Sequence, residues 1–600
     1  MREQGSQLRG PLAHHDGSAL YVSNPQPNLG ESVELSLRAC RNLHVDEVYL
    51  RVVVDGEPHY TQARLRSQDP QEQWWTATVE IVNHITSYRF RLDTAAGSLW
   101  LNAGGLHRHD IPDAQDFRLT TYQLPTWTNS AVIYQIFPDR FARSPRQRNE
   151  TYPDWALPAQ WSDPVAANTP EGVRQIYGGS LYGIEEHLDY IQQLGANTIY
   201  LTPFFPARSN HRYDASTFAH VDPLLGGDQA LRSLTNAAHL RSMHVLGDLT
   251  LNHSGVTHEW FAKGQADPDS PEAGFYYFDR QAGTYATFDG VESLPKFDHR
   301  SAELRRRLYD GPQSVVARYI RDFGLDGWRI DVAQSAGKYR GVDLSDLVAE
   351  RTHATMSATR SNLLLLAEHQ FDASPTLQGP GWQGAMAYAA FTKPVWAWLG
   401  ACLRENAWGA PGPAERFGGN DMADIMQEYA SLVPWQSFAA SMTLLDSHDT
   451  ARFRSVAGPY QSLGVALLMT LPGIPSVFSG DEVGIGGSGL EEGRQPFPWN
   501  ENSWDRPLYQ LYRSLIALRH EHPCLSQGGL RWLNCGQEFV TFERADAHET
   551  LLVQVNRGEH SPVISTVNAA NLLGGPDLTA GQTMPTQAPS FHIWRINKQE

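Results

Sequence analysis

The sequence predicts an α/β protein, a (β/α)8 TIM barrel with a β-sandwich before it and a small β domain after it. Three observations carry this prediction. Short runs rich in Val, Ile, Tyr and Thr, separated by turn residues, fill the first part of the chain. Eight brief apolar runs then alternate with stretches long enough for crossover helices. The end of the chain returns to short β runs.

Composition agrees with a packed, multidomain chain. At about 150 residues per domain, 600 residues suggest several domains, and a single large barrel has the length of about two of them. Hydrophobic residues at 41% and aromatic residues at 10% exclude wholesale disorder. The net charge of −18 without a long Lys/Arg run argues against nucleic acid or an anionic membrane as partner. A neutral or cationic partner is expected.

The cysteines and the apolar stretches predict a cytoplasmic protein. The four cysteines show no CxxC spacing, which argues against a zinc site and a disulfide framework and favours buried thiols in a reducing compartment. The first 30 residues contain no apolar stretch of signal-peptide length. The longest apolar window, Ala385 to Leu403, contains Lys393 and Pro394 and predicts a core helix, not a membrane span.

The predicted elements follow in order along the chain. Residues 1–122 form the sandwich, with strands such as Glu47 to Val54 and a turn at Asp55-Gly56. A polar linker leads to the barrel, residues 131–520. After the third barrel strand, residues 254–298 show no helical periodicity and predict an inserted loop subdomain over the upper face. Residues 521–600 form the C-terminal β domain. The predicted barrel strands are Val132–Phe137, Thr198–Leu201, Val245–Leu249, Gly327–Ile330, Leu363–Leu366, Met386–Tyr388, Thr443–Leu445 and Ser476–Phe478.

Polar residues stand at the carboxyl ends of four of these strands, where barrel enzymes build their active sites. A single strand-end acid is commonly part of a local ion pair, but four such ends around one ring point to catalysis. The residues are Asp248, Asn252 and His253 after strand three, Arg329 and Asp331 on strand four, Glu368 and His369 after strand five, and Asp446, His448 and Asp449 after strand seven.

Three of these acids suit glycoside hydrolysis, which needs one ionised and one protonated carboxyl group. Arg329, two residues before Asp331, is expected to lower the pKa of Asp331 and keep it ionised. The pKa of Glu368, which faces the other acids, is expected to rise. Asp449 completes the set. His253 and His448 suit hydrogen bonding to sugar hydroxyls, with satisfied core histidines as the alternative.

At these residues the sequence resembles the α-amylase family, glycoside hydrolase family 13. Asp248 to His253, Gly327 to Asp331, Leu366 to His369 and Leu445 to Asp449 resemble its four signature regions. Leu294-Pro-Lys-Phe-Asp298 is similar to the MPKLN pattern of the neopullulanase and cyclomaltodextrinase group. The string Arg494-Gln-Pro-Phe-Pro-Trp499 and the Glu-His pair at 368–369 resemble the intracellular α-glucosidases that act on maltodextrins.

The resemblance implies a role for each matching residue. Asp331 becomes the nucleophile, Glu368 the acid/base and Asp449 the transition-state stabiliser. The implied substrate-binding residues are Tyr213, Asp214, His253, Arg329, His369, His448 and Arg452, with Tyr213 as the stacking platform. The implied reaction is cleavage of α-1,4-glucosidic bonds of maltodextrin or cyclodextrin, releasing glucose or maltose.

Two departures from the family pattern bear on these roles. The segment His211-Arg-Tyr-Asp-Ala-Ser-Thr-Phe218 replaces HKYDTxDY, so Thr217 stands where an acid is usual, while Tyr213 and Asp214 are kept. Relatives with calcium near strand one have an Asn/Gly/Asp-rich loop after the equivalent of Phe141. Here Ala-Arg-Ser-Pro-Arg-Gln-Arg148 follows, and its cations disfavour a hard divalent ion. We therefore expect no metal and no cofactor.

Several alternatives stay open or are set aside. Transglycosylation or cyclodextrin opening differs from hydrolysis by loop shape and not by motif. A non-catalytic amylase-like protein is disfavoured because all three acids are present. Gly484 to Gly489 satisfies the dinucleotide-binding pattern GxGxxG, but the prolines that follow exclude the long helix that this pattern requires.

The resemblance implies that the N-terminal domain takes part in homodimerisation, and we expect it to cover the active-site cleft. Trp74, Trp75 and Trp100 are candidate interface, core or glucan-stacking residues of this domain.

Overall fold

The computed structural model describes residues 6–147, 151–167, 169–401 and 415–597. The N-terminal part is a sandwich of two antiparallel sheets, and alternate residues of the facing strands, such as Val33, Leu35 and Leu37, fill its core. One sheet contains Ala13–His14, Ser32–Cys40, Glu72–Glu80 and Arg64–Gln68. The other contains Gly105–His107, Gly97–Asn102, Ile85–Thr94, Val45–Val54, Glu57–Gln62 and Phe117–Thr120.

Eight parallel strands form the barrel, and each pairs with its neighbour in chain order. We label them β1 to β8. Strand β8 pairs with β1, and a bridge between Met386 and Met442 closes the ring between β6 and β7. The sixth strand lies at Gly384–Ala385, just before its predicted range Met386–Tyr388, and Tyr388 already begins a π-helix, Tyr388–Thr392. The strands are Ile133–Ile136, Thr198–Leu201, His244–Thr250, Gly327–Asp331, Leu364–Ala367, Gly384–Ala385, Met442–Leu444 and Ile474–Phe478.

Helices cover the outside of the ring. Val315–Phe323 shows why they form: the Ser314 hydroxyl caps its first turn by accepting from the Ala317 N–H, and Gly324 ends it with φ of 78°. The main helices are Leu181–Glu186, Leu188–Leu194, Gly227–His239, Ala302–Leu308, Val315–Phe323, Ser345–Thr359, Lys393–Leu399, Gly419–Ser431, Trp435–Ala440, Phe453–Ala457, Gln461–Thr470 and Arg506–Glu521. No helix in these described ranges is long and apolar enough to cross a membrane.

The segment between β3 and β4 contains regular structure that the sequence pattern did not predict. A helix, Glu259–Ala266, starts at His258, whose ring nitrogen accepts from the Trp260 N–H. The expectation of no helix was wrong because eight residues are too few to show a 3.6-residue period clearly. Two short hairpins follow, Phe278–Asp279 with Thr284–Tyr285 and Thr287–Phe288 with Val291–Pro295.

The C-terminal part is a five-stranded antiparallel sheet that also binds the start of the chain. Its strands are ordered Gly529–Cys535, Phe539–Ala545, Thr550–Asn556, Ser590–Ile596 and Ala569–Asn571. Ser6–Gln7 runs parallel to Val563–Ile564 beside it. Cys40, Cys524 and Cys535 are free thiols, while Cys402 lies outside the described residues.

Candidate active site

Arg329 on strand β4 joins acids from strand β3, from the ends of β4 and β5, and from the loop after β7. Its Nη1 lies 2.9 Å from both carboxylate oxygens of Asp248 and 3.0 Å from Asp331 Oδ1. Its Nη2 lies 3.0 Å from Glu368 Oε2 and 3.8 Å from Asp449 Oδ2. The guanidinium is fully buried, so these charges interact strongly. The structure thus brings the three predicted catalytic acids together around one cation.

Glu368 is held by the main chain as well as by Arg329. Its Oε2 accepts a hydrogen bond of 2.7 Å from the Val332 N–H. Val332, which directly follows Asp331, has φ of 46°, a left-handed conformation that is costly for a β-branched residue. The chain therefore turns sharply just after the strand, and that turn aims a backbone donor at the neighbouring carboxylate.

Tyr213 lies inside this network. Its hydroxyl donates to Asp248 Oδ2 over 2.8 Å and lies 2.5 Å from His448 Nε2. The Tyr213 ring is stacked on the His448 ring at a centroid distance of 5.5 Å. Tyr200 also donates to Asp248, over 2.6 Å. Asp248 is fully buried and anchors both Arg329 and Tyr213.

His448 and Asp449 form a second group with Arg494. His448 Nε2 lies 3.1 Å from Asp449 Oδ2. Arg494 reaches Asp449 Oδ1 at 3.4 Å and donates to the His448 carbonyl over 2.7 Å. Arg494 belongs to the string that resembles the maltodextrin-acting α-glucosidases, and the sequence predicts no site role for it. Its place beside Asp449 is set by a loop after β8, which no local pattern predicts.

Two buried polar atoms at the centre of the site, His253 Nε2 and Asp331 Oδ2, have no hydrogen-bond partner in the protein. His253 Nε2 and Asp331 Oδ2 are 3.8 Å apart, too far for a direct hydrogen bond. Orphaned buried groups are costly unless a ligand or water satisfies them. A polyhydroxylated ligand supplies both donors and acceptors for such a set.

The pKa of Asp331 differs from the sequence-based expectation. Burial, and next the nearby Glu368 carboxylate, raise it well above its usual range, and Arg329 offsets this only in part. The expected net lowering was wrong because Arg329 is shared with Glu368 and Asp248 and does not serve Asp331 alone. Three buried acids, Asp248, Asp331 and Glu368, therefore share one cation.

Burial also keeps the site histidines uncharged. It lowers the pKa of His253 to about 3, with a further contribution from the Lys296 charge. It lowers the pKa of His448 well below the usual value, assisted by Arg329 and Arg494. Both rings are neutral at neutral pH, so they act through hydrogen bonds and not as cations.

Two predicted substrate-binding residues are occupied by protein groups. Arg452 donates to the carbonyls of Phe478, Ser479 and Gly493 and to Asp481 Oδ1 at 2.7 Å. Asp214 accepts from the Arg208 N–H over 3.1 Å and from the Ser209 hydroxyl. The structure gives both of them loop-fixing contacts. His369, by contrast, keeps an unpartnered nitrogen next to Glu368.

The loop after Phe141 does not fit a calcium ion. Arg143 donates to the carbonyls of Tyr177 at 2.7 Å and Ala159 at 2.9 Å. A guanidinium thus occupies carbonyl oxygens that a hard cation would use as ligands. In the part of the chain that the structure describes, no group of three or more His, Cys, Asp or Glu side chains is arranged to hold a metal. Arg148 lies outside that part.

A ring of acids around an arginine at the carboxyl end of a β/α barrel defines a glycoside hydrolase site. The α-amylase catalytic-domain model matches residues 135–366. An intracellular maltogenic amylase of Bacillus subtilis is 30% identical over 448 residues, 73% of this chain and 70% of the relative. A cyclomaltodextrinase of Geobacillus thermopakistaniensis is 28% identical over 556 residues, 88% of each. A solved cyclomaltodextrinase, 24% identical, covers 98% of this chain and 99% of its own with a TM-score of 0.73.

The chain therefore belongs to the α-amylase family of glycoside hydrolases. It is a glycoside hydrolase of this family, and its fold matches that of the solved cyclomaltodextrinase over 98% of the chain, the flanking β domains included.

Proposed function

We propose that the protein is a retaining glycosidase that hydrolyses α-1,4-glucosidic bonds of short maltodextrins and releases glucose and maltose, as maltodextrin glucosidases do. The observation that carries this is the position of Arg329, 3.0 Å from both Asp331 and Glu368. Retaining enzymes need two carboxyl groups only about 5 to 5.5 Å apart. A shared guanidinium supports such a short separation.

In this proposal Glu368 is the general acid that gives a proton to the leaving glycosidic oxygen, while Asp331 Oδ2, which has no protein partner, attacks the anomeric carbon. Arg329 stabilises Asp331 as the carboxylate. Water then hydrolyses the glycosyl–enzyme ester, with Glu368 acting as base. Asp449 binds sugar hydroxyls as positive charge develops on the ring.

The depth of the site supports short substrates. The side chains of Asp331 and Glu368 are 8% and 4% exposed, whereas that of Asp449 is 24% exposed. A sugar at the reacting position thus enters past Asp449 into a nearly closed space. Such a space admits a chain end more readily than the middle of a polymer.

Hydrolysis of cyclodextrins or pullulan is the second candidate, and the names of the relatives favour it. The test is a product profile: maltotriose, γ-cyclodextrin and pullulan are incubated separately, and the sugars are resolved by chromatography. We expect maltotriose to be cleaved fastest, to glucose and maltose, with the α-anomer formed first by proton NMR. Faster opening of γ-cyclodextrin, or an initial β-anomer, would contradict the proposal.

We further propose that the enzyme needs no metal and that it is located in the cytoplasm. The Arg143 contacts support independence from calcium, and a relative named an intracellular amylase supports the location. We expect EDTA to leave both the melting temperature and kcat unchanged, measured by differential scanning calorimetry and maltotriose hydrolysis. Restoration of lost activity by calcium would refute this point.

Homodimerisation through the N-terminal domain stays a prediction, to be checked by sedimentation velocity.

A further inference from the structure

Lys296 is a buried lysine beside the active site, contributed by the segment inserted between β3 and β4. Only 6% of the residue is exposed. Its ammonium group donates to the Asn252 side-chain oxygen and, over 2.9 Å, to the Ser335 carbonyl. The main chain fixes this position, because His253 and Lys296 form an antiparallel bridge. Both partners of the ammonium are neutral oxygens, so the lysine orients groups and does not neutralise an acid.

The Lys296 contact determines which way the Asn252 amide points. An ammonium group only donates, so the amide oxygen must face it, and the amide nitrogen must face the other way. That nitrogen lies 3.1 Å from His253 Nδ1. Because an amide nitrogen also only donates, Nδ1 of His253 must accept. The neutral imidazole then carries its proton on Nε2.

The proton on His253 Nε2 faces the reacting carboxylate. Nε2 lies 3.8 Å from Asp331 Oδ2, and neither atom has a protein partner. A hydroxyl oxygen between them would accept from Nε2–H and donate to the carboxylate. The ring plane is fixed by Phe288, whose ring is stacked on it at 5.3 Å. If the ring proton were on Nδ1 instead, both His253 Nε2 and Asp331 Oδ2 would be acceptors. A single hydroxyl between them could then donate to only one of the two.

We propose that Lys296 and Asn252 are positioning residues that fix the tautomer of His253, so that its Nε2–H donates to a hydroxyl of the sugar that Asp331 attacks. This inference rests on the proposed glycosidase reaction and adds two residues to it. The ring is neutral at neutral pH because its pKa is about 3, so the tautomer and not the charge is what these residues control. The charged groups that face the ring are Lys296 and Asp331.

The decisive variant is Asn252→Asp, which keeps the shape and the contact with Lys296 but replaces the donor by an acceptor. His253 must then protonate Nδ1, and Nε2 carries a proton only when the whole ring is charged. We expect kcat/KM at pH 7 to fall about ten- to a hundredfold. The loss should shrink at lower pH, so that the alkaline limb of the profile lies at least one pH unit below that of wild type.

A second variant tests the link from Lys296 to His253. Lys296→Met removes the donor with similar volume, and we expect a comparable loss of kcat/KM. In a His253→Ala background the same substitution should cause no further loss, because its effect passes through the ring. Lys263→Met, in the helix of the same inserted segment and 56% exposed, is the matched control and should match wild type in activity.

All profiles are measured on whichever of maltotriose, γ-cyclodextrin or pullulan wild type cleaves fastest, with the melting temperature of each variant. A preference for γ-cyclodextrin would refute the proposed substrate and leave the test of the tautomer intact. The inference itself is overturned if Asn252→Asp lowers kcat/KM equally at every pH. Independent, multiplying losses in Lys296→Met and His253→Ala would overturn it as well.

Discussion

Arg329 stabilises Asp331 and Glu368 alike, so the difference between their roles must come from their other contacts. Glu368 Oε2 accepts the Val332 N–H, whereas Asp331 Oδ2 is free to attack. We expect Glu368→Gln to lower kcat on maltotriose by about 100-fold or more, since proton donation to the leaving group is lost. With α-glucosyl fluoride, which needs no such proton, Glu368→Gln should still release fluoride rapidly.

Asp331→Asn is the matched variant in the fluoride assay, and it should abolish fluoride release because no nucleophile remains. The rates of fluoride release are read with an ion-selective electrode. Equal losses in both variants would contradict the division of roles between Asp331 and Glu368.

In the proposed reaction Asp449 stabilises the transition state. His448 and Arg494 fix its carboxylate at 3.1 and 3.4 Å, and it is the most exposed of the three acids. Hydrogen bonds to sugar hydroxyls that strengthen as charge develops should affect kcat more than KM. We therefore expect Asp449→Asn to lower kcat at least tenfold with a smaller rise in KM, in steady-state kinetics on maltotriose. A change in KM alone would make Asp449 a binding group only.

At the scale of single residues, the sequence predicts which residues belong to the site better than it predicts which groups they contact. Strand ends located Asp331, Glu368 and Asp449 because parallel strands present their carboxyl ends at one edge. Arg452 and Arg494 show the limit. Arg452 follows strand seven and Arg494 follows strand eight, and only the folded loops decide that Arg452 binds main-chain carbonyls while Arg494 reaches Asp449. That choice depends on residues distant in sequence.

Asp326 shows how one carboxylate joins several elements at the amino end of the barrel. It accepts from the Val245 N–H of β3 over 2.8 Å and pairs with His239 and Arg360, each at 2.9 Å, at the ends of two helices. Although burial opposes it, the hydrogen bond with His239, the nearby His244 ring and the main-chain N–H of Val245 lower the pKa of Asp326 well below its usual value. The ionised form is therefore favoured in the folded state.

We expect Asp326→Asn to lower the free energy of unfolding by about 2 kcal/mol at pH 7. Since the folded pKa lies below the unfolded value of about 3.9, the contribution is complete above that pH and is lost as pH falls below it. Urea unfolding between pH 3 and pH 8 measures the difference. Asp322→Asn, which removes an exposed partner of Arg321, should change stability far less. A difference that stays constant down to pH 3 would contradict this assignment.

At the scale of elements, the barrel strands were predictable and the insertion was not. Seven of the eight strands overlap their predicted ranges because buried parallel strands form continuous apolar runs. Strand β6 is two residues long, too short for any pattern, and the next apolar residues continue into a π-helix. Helix Glu259–Ala266 was missed for the same reason of length.

At the scale of the molecule, the N-terminal and C-terminal domains are joined by a cluster of four charges. Arg531 binds Glu543 through two contacts of 2.7 and 3.0 Å and reaches Glu72 at 3.3 Å. Arg38 contacts Glu72 and lies 3.5 Å from Glu543. These pairs cross between strands of the two domains, and no side chain among the four is more than 17% exposed. The sequence could not predict this, since the partners are some 500 positions apart.

Three tryptophans of the N-terminal domain pack against residues of their own domain. Trp75 belongs to the sandwich core, and Trp74 is stacked on Tyr21 at 5.4 Å. Trp100 lies under the Arg89 guanidinium at 5.6 Å. Core packing of Trp75 leaves it unavailable for an interface, so a dimer contact through this domain would need other residues.

Because the charge cluster crosses between the two flanking domains, we expect these domains to unfold together. Glu543 contacts both Arg531 and Arg38, so Glu543→Gln leaves two nearby buried guanidinium groups with Glu72 as their remaining carboxylate partner. We expect this variant to lower the free energy of unfolding by about 3 kcal/mol, because a buried pair broken on one side is costly. Glu34→Gln, which breaks the exposed pair with Arg64, is the control and should cost about 0.5 kcal/mol or less.

Calorimetry measures whether the two domains unfold together. It should show one shared transition for wild type, and two separated transitions in Glu543→Gln would follow from uncoupling of the domains. Equal costs for the two variants would mean that the cluster does not hold the domains together. Deletion of residues 1–122 should destabilise the remaining chain for the same reason, since it removes both Arg38 and Glu72.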